Sequence, residues 1–315
     1  MTDPDKETNS KEFEQSLVNE LAREVLNEQR RNRRWGIFFK GLFALYFLLF
    51  FVVYMANNSE MSGFSGDKHT ALIEINGVIA AETEARADYV VTALRHAFED
   101  ENTEGVILRI NSPGGSPVQA GYINDEIKRL RQKHPEIPLY AVITDMCASG
   151  GYYIAAAADK IYANKASIVG SIGVVMSGFG FVDAINKLGV ERRLLHAGEN
   201  KGFLDPFQPL KEDEAEHVQG MLAEIHQQFI DVVKDGRGDR LADDKRLFSG
   251  LIWSGEEGIK LGLVDELASA SQVARDVIGV EEIVDFTKRE NYLDRFAKQM
   301  GSAMLEAMSK GFNLQ

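Results

Sequence analysis

The 20 residues from Ile37 to Ala56, IFFKGLFALYFLLFFVVYMA, carry one charge, Lys40, and constrain this chain more than any other stretch. A helix of that length reaches about 30 Å, the thickness of a bilayer core. Apolar residues cover every side, which a helix packed into a soluble core does not need. Lys40 lies near one end, where its amine can reach the headgroups. Arg30, Arg31, Arg33 and Arg34 precede the run, and Asn57-Asn58-Ser59-Glu60 follow it, with no Lys or Arg before Lys68. The positive flank stays in the cytoplasm. The expectation is a single-pass protein of the cytoplasmic (inner) membrane, with a cytoplasmic N-terminus and everything beyond about residue 57 on the periplasmic, extracytoplasmic side. A cleaved signal peptide is the rival. The long leader and the weak Met55-Ala56-Asn57 cleavage site favour an uncleaved anchor.

Of the 315 residues 44% are hydrophobic, enough for a sizeable core, and the net charge of −13 argues against nucleic acid as a partner. The single cysteine, Cys147, excludes an intrachain disulfide. Residues 1–34 form a charged cytoplasmic segment in which Phe13, Leu17, Leu21 and Val25 repeat at helical spacing. Residues 35–56 are the anchor, which meets the lipid bilayer through 37–56, and 57–69 are a Ser/Gly/Asn-rich linker.

From residue 70 to 285, strand and helix patterns alternate. Strands are expected at 71–75, 105–110, 139–144, 160–163 and 172–176. Helices are expected at 86–100, 118–134, 210–234 and 239–248, and a short N-capped helix after Trp253 leads to a last strand. Such alternation means an α/β domain with a mainly parallel sheet. Residues 286–315 form an amphipathic C-terminal helix with Leu293, Phe296, Met300, Met304 and Met308 on one face.

Two small-residue turns follow neighbouring strands: Pro113-Gly114-Gly115-Ser116 and Ser149-Gly150-Gly151. Loops at the carboxyl ends of adjacent parallel strands converge. Ser149 at the mouth of a short apolar helix suits a nucleophile, with backbone N–H groups of Gly114 or Gly115 and of Gly150 facing a developing oxyanion. Such a serine needs a base. Of the six histidines, His134 closes a helix, His217 and His226 lie in an exposed-looking helix, and His196 alone falls in a loop near the site. Lys201, beside Phe203, Leu204 and Phe207, is the alternative, since an apolar setting favours a neutral amine. By itself, though, a loop lysine is an ordinary solvated cation.

Leu108-Arg-Ile-Asn-Ser-Pro-Gly-Gly115, Ala148-Ser-Gly-Gly-Tyr-Tyr153, Ile168-Val-Gly-Ser-Ile-Gly-Val174, Trp253-Ser-Gly-Glu256 and Gly262-Leu-Val-Asp265 occur in this order. The set resembles peptidase family S49, the signal peptide peptidase A family, in its short SohB-like form. The resemblance implies a ClpP/crotonase-like fold and a membrane-bound serine protease with a Ser/Lys dyad. It implies Ser149 as nucleophile, Lys201 as general base, Ser171 as the hydroxyl that orients the lysine, and Gly114, Gly115 and Gly150 as the oxyanion hole. It further implies peptide substrates, signal peptides among them, a homo-oligomeric ring (an octamer for the short form), and neither cofactor nor metal. Val174, Val175, Met176 and Phe203 are candidates for the substrate pocket. Three rival readings are a crotonase-type acyl-CoA enzyme, a non-catalytic peptide-binding scaffold or protease regulator, and a soluble Ser/His protease using His196.

Overall fold

A computed structural model describes residues 29–52 and 66–289. The chain divides into two compact units, residues 1–65 and 66–315. In the first, helix α1 (Gln29–Val52) is, among the described residues, the one helix long and apolar enough to cross a membrane. It takes in the four arginines expected just before the span. The Phe13–Val25 stripe and the Leu293–Met308 stripe lie outside the described residues.

The second unit is an α/β domain around a mainly parallel sheet. Strands β1 (His69–Asn76), β2 (Thr103–Ser112) and β3 (Leu139–Ala148) pair side by side in parallel. They are rich in Ile, Val and Leu and buried on both faces, as central parallel strands require. β3 serves two neighbours: Tyr140–Ile143 pair with β4 (Lys160–Ala163), and Met146–Ala148 pair with β5 (Ile168–Gly170). β6 (Ile252–Ser254) adds antiparallel to β5, β7 (Glu266–Leu267) pairs with β4, and β8 (Ile283–Asp285) closes the far edge on β1.

One sheet face packs Ile73, Leu108, Ala141 and Ile143 against helices α2 (Ala87–Glu99) and α3 (Pro117–Lys133) through Val90, Leu94, Ile123 and Ile127. Each such Ile, Val or Leu side chain contributes roughly 1.5–3 kcal/mol when fully buried. The other face packs Leu72, Ile107, Val142 and Tyr162 on Val273 and Ala274. Pro117 stands at the first helical position of α3, and the Ser116 side chain accepts from Gln119 N–H, so the turn preceding α3 is also its cap. After α4 (Gly150–Ala155) and α5 (Val182–Lys187) comes the long α6 (Glu212–Arg237). It opens on Glu212, Asp213 and Glu214 and ends with Lys234 and Arg237, in accord with its dipole. The short α7 (Gly255–Lys260) is capped by Ser254, and α8 (Ala270–Gln272) by a Ser269–Gln272 capping box.

Three expectations need correction. β3 runs on to Ala148 rather than ending at Thr144, because β5 continues its ladder where β4 stops. The strand expected at 172–176 does not form: Gly170 (φ 99°) and Ser171 (φ 53°) turn the chain, and the strand is Ile168–Gly170 instead. The helix expected at 239–248 is two 3-10 turns, Gly238–Arg240 and Lys245–Phe248, since Gly238 (φ 54°) ends α6 and Asp244 caps a fresh turn by accepting from Arg246 N–H.

A buried ion pair ties the back of the domain together. Arg237 is 1% exposed and donates from Nε to Gly262 O (2.8 Å) and from its two Nη atoms to Asp265 (2.8 and 2.9 Å). Asp265 also accepts from Ile161 N–H (2.7 Å). Tyr152 of α4 donates to Leu263 O in the same loop (2.8 Å), so the clamp joins α6, β4 and α4. Burial pushes the Asp265 carboxyl up, but hydrogen bonds from Arg237 and Ile161 and the charges of Arg237 and Arg240 outweigh it and hold it below the usual carboxylate range. A depressed carboxylate stabilises the fold above its unfolded value of about 3.9, and that contribution is lost as pH falls through the lower folded value. Asp265→Ala strands the Arg237 charge and is expected to cost about 3–5 kcal/mol. In a thermal melt near neutral pH this appears as a drop on the order of 10 °C, and the gap between variant and wild type narrows at strongly acid pH.

Candidate active site

The site forms where β2 and β3 end. Ser112 pairs with Cys147, so the turns that follow the two strands lie side by side. Ser149 sits at φ 52°, ψ −122°, a backbone conformation that costs a non-glycine residue about 1–3 kcal/mol. Two bonds hold it there: Ser149 N–H donates to Gly170 O (2.9 Å), and Ser149 O accepts from Tyr153 N–H (2.9 Å). The serine is thereby lifted off the strand end at the start of α4.

The facing turn is clamped by the segment after β1. Ile79 N–H donates to Gly114 O (2.9 Å), Ser116 N–H donates to Ile79 O (2.8 Å), and Ser112 Oγ donates to Gly77 O (2.6 Å). Gly114 and Gly115 take φ 98° and 150°. A Cβ on Gly114 would stand 2.7 Å from both Gly150 N and Ser149 Cβ, and one on Gly115 would run into Ile79 O. Only glycine fits at either position, for both conformation and space.

These contacts separate the backbone donors. Gly114 N–H is committed to Ser112 Oγ (3.1 Å). Gly115 N–H and Gly150 N–H have no acceptor within the described residues, and a Cβ on Gly150 would lie 3.3 Å from Gly115 N. Two unspent donors thus sit together beside Ser149, an arrangement suited to an oxyanion. Gly114 serves as the spacer that lets the turns approach.

Ser171 follows the Ala148–Gly170 register pair, as Ser149 does on its own strand, so the two serines neighbour each other. Both line a cavity of about 700 Å³ with Gly115, Gly150, Val174 and Val175. Tyr153, the α6 residues Ile225, His226 and Phe229, and the Phe248–Gly250 turn line it too. Met176 and Phe203 are not among the lining residues; they lie exposed on the segment that follows. Lys201 is on the same exposed segment and does not line the cavity within one chain. That segment holds itself together through Arg192–Asp205 (3.2 Å), Phe181 N–H to Pro206 O (2.6 Å) and Phe181 against Phe207 (5.5 Å). Val175, Phe179 and Leu195 stand 86%, 82% and 96% exposed along it, an apolar surface one chain leaves uncovered. Cys147 lies buried behind the serine turn, where burial pushes its thiol well above the ordinary range and keeps it protonated. No group of three or more His, Cys, Asp or Glu placed to hold a metal occurs among the described residues.

The family model for peptidase family S49 matches residues 131–300, more than half of the chain. The chain belongs to this family. It is 31% identical to a proposed signal peptide peptidase SppA of Enterococcus faecium, over 71% of this chain and 67% of that protein. It is 32% identical to a proposed protease of Synechocystis sp., over 68% and 76% of the two chains. A 186-residue stretch is 46% identical to part of a protein named Na(+)/H(+) antiporter NhaA in Brucella abortus, covering 59% of this chain but only 25% of that protein. The chain thus spans about a quarter of the length of that relative. The ClpP-like fold of family S49 accords with the mainly parallel α/β sheet described above.

Sequence reasoning missed the part of the lining that α6 supplies. His226, expected on an exposed helix, is half-buried in the cavity. The apolar spacing of Ile225 and Phe229 was readable, but what that face covers was not. Gly115→Ala and Gly114→Ala are each expected to lower the rate of Ser149 labelling by a fluorophosphonate at least tenfold. Mass spectrometry of the labelled peptide checks it, and a Gly121→Ala control, where a Cβ meets nothing within 4 Å, labels at the wild-type rate.

Proposed function

We propose that this protein is a serine endopeptidase with a Ser149/Lys201 dyad, anchored by α1 in the cytoplasmic membrane, that degrades signal peptides or other short apolar peptides at its outer face. The observation that carries the reading is the strained Ser149 beside the unspent N–H groups of Gly115 and Gly150 at an apolar-walled cavity. In the reaction, Lys201 Nζ takes the proton of Ser149 Oγ as that oxygen attacks the peptide carbonyl carbon. The carbonyl oxygen, now negative, is held by the two N–H groups. Lys201 returns the proton to the leaving amine, and water then releases the acyl group. Ser171 orients the lysine amine. Val174 and Val175 with the α6 wall receive the apolar side chain, in keeping with peptides that leave a bilayer.

A lysine works as a base only when its amine is shielded from water. The exposed Lys201 segment and its uncovered apolar side chains support assembly into a homo-oligomer, an octameric ring by family resemblance, in which a neighbouring copy supplies the cover.

Ser149→Ala and Lys201→Ala are each expected to reduce hydrolysis of an apolar fluorogenic peptide by at least a thousandfold, with little change in melting temperature. Persistent turnover in Ser149→Ala would exclude this nucleophile. Because Lys201 does not line the Ser149 cavity of its own chain, a neighbouring copy is expected to supply the lysine, and mixing the two inactive variants before assembly is expected to restore part of the activity. A mixture that stays inactive would mean that each copy completes its own dyad.

A further inference from the structure

The part of the cavity lining that α6 supplies carries a histidine that the reaction above does not use. On that reading of the site, we propose that His226 is a positioning residue: its imidazole holds the Ile172 carbonyl and so fixes Ser171 beside Ser149. Ser171 has φ 53°, a strained conformation for a residue with a side chain. Such strain persists only where the surroundings impose it. Three backbone bonds contribute: Ser149 N–H to Gly170 O (2.9 Å), Ser171 N–H to Leu251 O (2.8 Å) and Gly250 N–H to Ile172 O (3.1 Å). Among the described residues one side chain joins them, His226, with Nε2 at 3.2 Å from Ile172 O.

The Ile172 carbonyl is the last fixed point of this ledge. Gly173 packs closely on Gly250, where a Cβ would lie 3.1 Å from Gly250 Cα. From Ile172 onward no backbone N–H finds an acceptor among the described residues until Phe181 donates to Pro206 O. The run between includes Val174 and Val175, which line the cavity, and leads on toward Lys201. His226 thus clamps the chain where support ends. Its own footing is rigid, because Phe229, one turn along α6, is buried and packs on Tyr153 of α4 (5.2 Å).

A carbonyl only accepts, so Nε2 carries the proton in this bond. That nitrogen is therefore not free to take a proton from Ser149 while the ledge is held. The role of His226 is to keep Ser171, and through it the lysine amine, in line with Ser149 Oγ. Small displacements of such groups cost up to about a hundredfold in rate, whereas binding, governed by the apolar wall, is little affected.

The test compares kcat and KM for an apolar fluorogenic peptide in the full-length, detergent-solubilised protein, for wild type, His226→Gln, His226→Leu and Ser149→Ala. Glutamine retains an amide donor; leucine fills comparable space without one. His226→Leu is expected to lose tenfold or more in kcat, with KM within about threefold and the melting temperature unchanged, and His226→Gln to recover most of the loss. Wild-type kcat in His226→Leu, or equal impairment of the Gln and Leu variants, would overturn the proposal. If the leucine variant does not fold, His226→Phe, a ring without a donor, is read in the same way. Loss of activity in both His226 variants while Lys201→Ala stays active would make the histidine the base and also overturn it. An active Ser149→Ala would remove the underlying reading of the site; an active His226→Leu beside an inactive Ser149→Ala removes only the positioning role.

Discussion

On the edge facing away from β2, β3 has more length than one neighbour pairs, and the rest of the domain is arranged around that fact. Its first half is paired by β4 and its second by β5. Without the second partner, Met146–Ala148 would present unpaired backbone groups, and Ser149 would have no acceptor for its N–H at Gly170. The strained serine turn, the adjacent Ser171 and the cavity between them all follow from β5 taking over the ladder. β6 supports β5 in turn, and the Phe248–Gly250 segment leading into β6 supplies part of the cavity wall.

Close backbone approach supplies the second constraint. The donors beside Ser149 exist because two glycines let one turn pack onto the next with no side chain between. One N–H, that of Gly114, is spent on Ser112 Oγ to hold the turn's shape, which leaves Gly115 and Gly150 to face the cavity. The division is a matter of hydrogen-bond accounting: an amide that braces the loop cannot also meet a substrate oxygen. Behind this, the Arg237–Asp265 clamp and the Tyr152 hydroxyl fix α4 against α6 and the 261–265 loop, so the serine turn rests on a rigid base.

The exposed segment beyond Ile172 is of a different kind. It holds itself together by a few local contacts and shows large apolar side chains to solvent. A domain whose core is packed does not ordinarily leave such surface bare. The contrast between the rigid serine side and this uncovered segment is the physical basis for expecting that copies of the chain work together.

The sequence by itself determined the apolar helix, the alternation of strand and helix, the two glycine turns and the position of Ser149, because these rest on local periodicity and on backbone conformations that few residues adopt. It also carried the family, through motifs whose order survives without any contact being known. What it did not determine was each place where distant segments compete for the same backbone groups. β3 outran its expected end because β5, twenty residues on, pairs with it. The strand expected at 172–176 gave way because Gly170 and Ser171 turn toward Leu251. His226 read as a surface residue because helical spacing tells which side chains share a face, not what that face meets. Only the tertiary structure decided that it meets the Ile172 carbonyl at the edge of the Ser149 cavity, since that contact joins residues 54 apart in the chain and has no local signature.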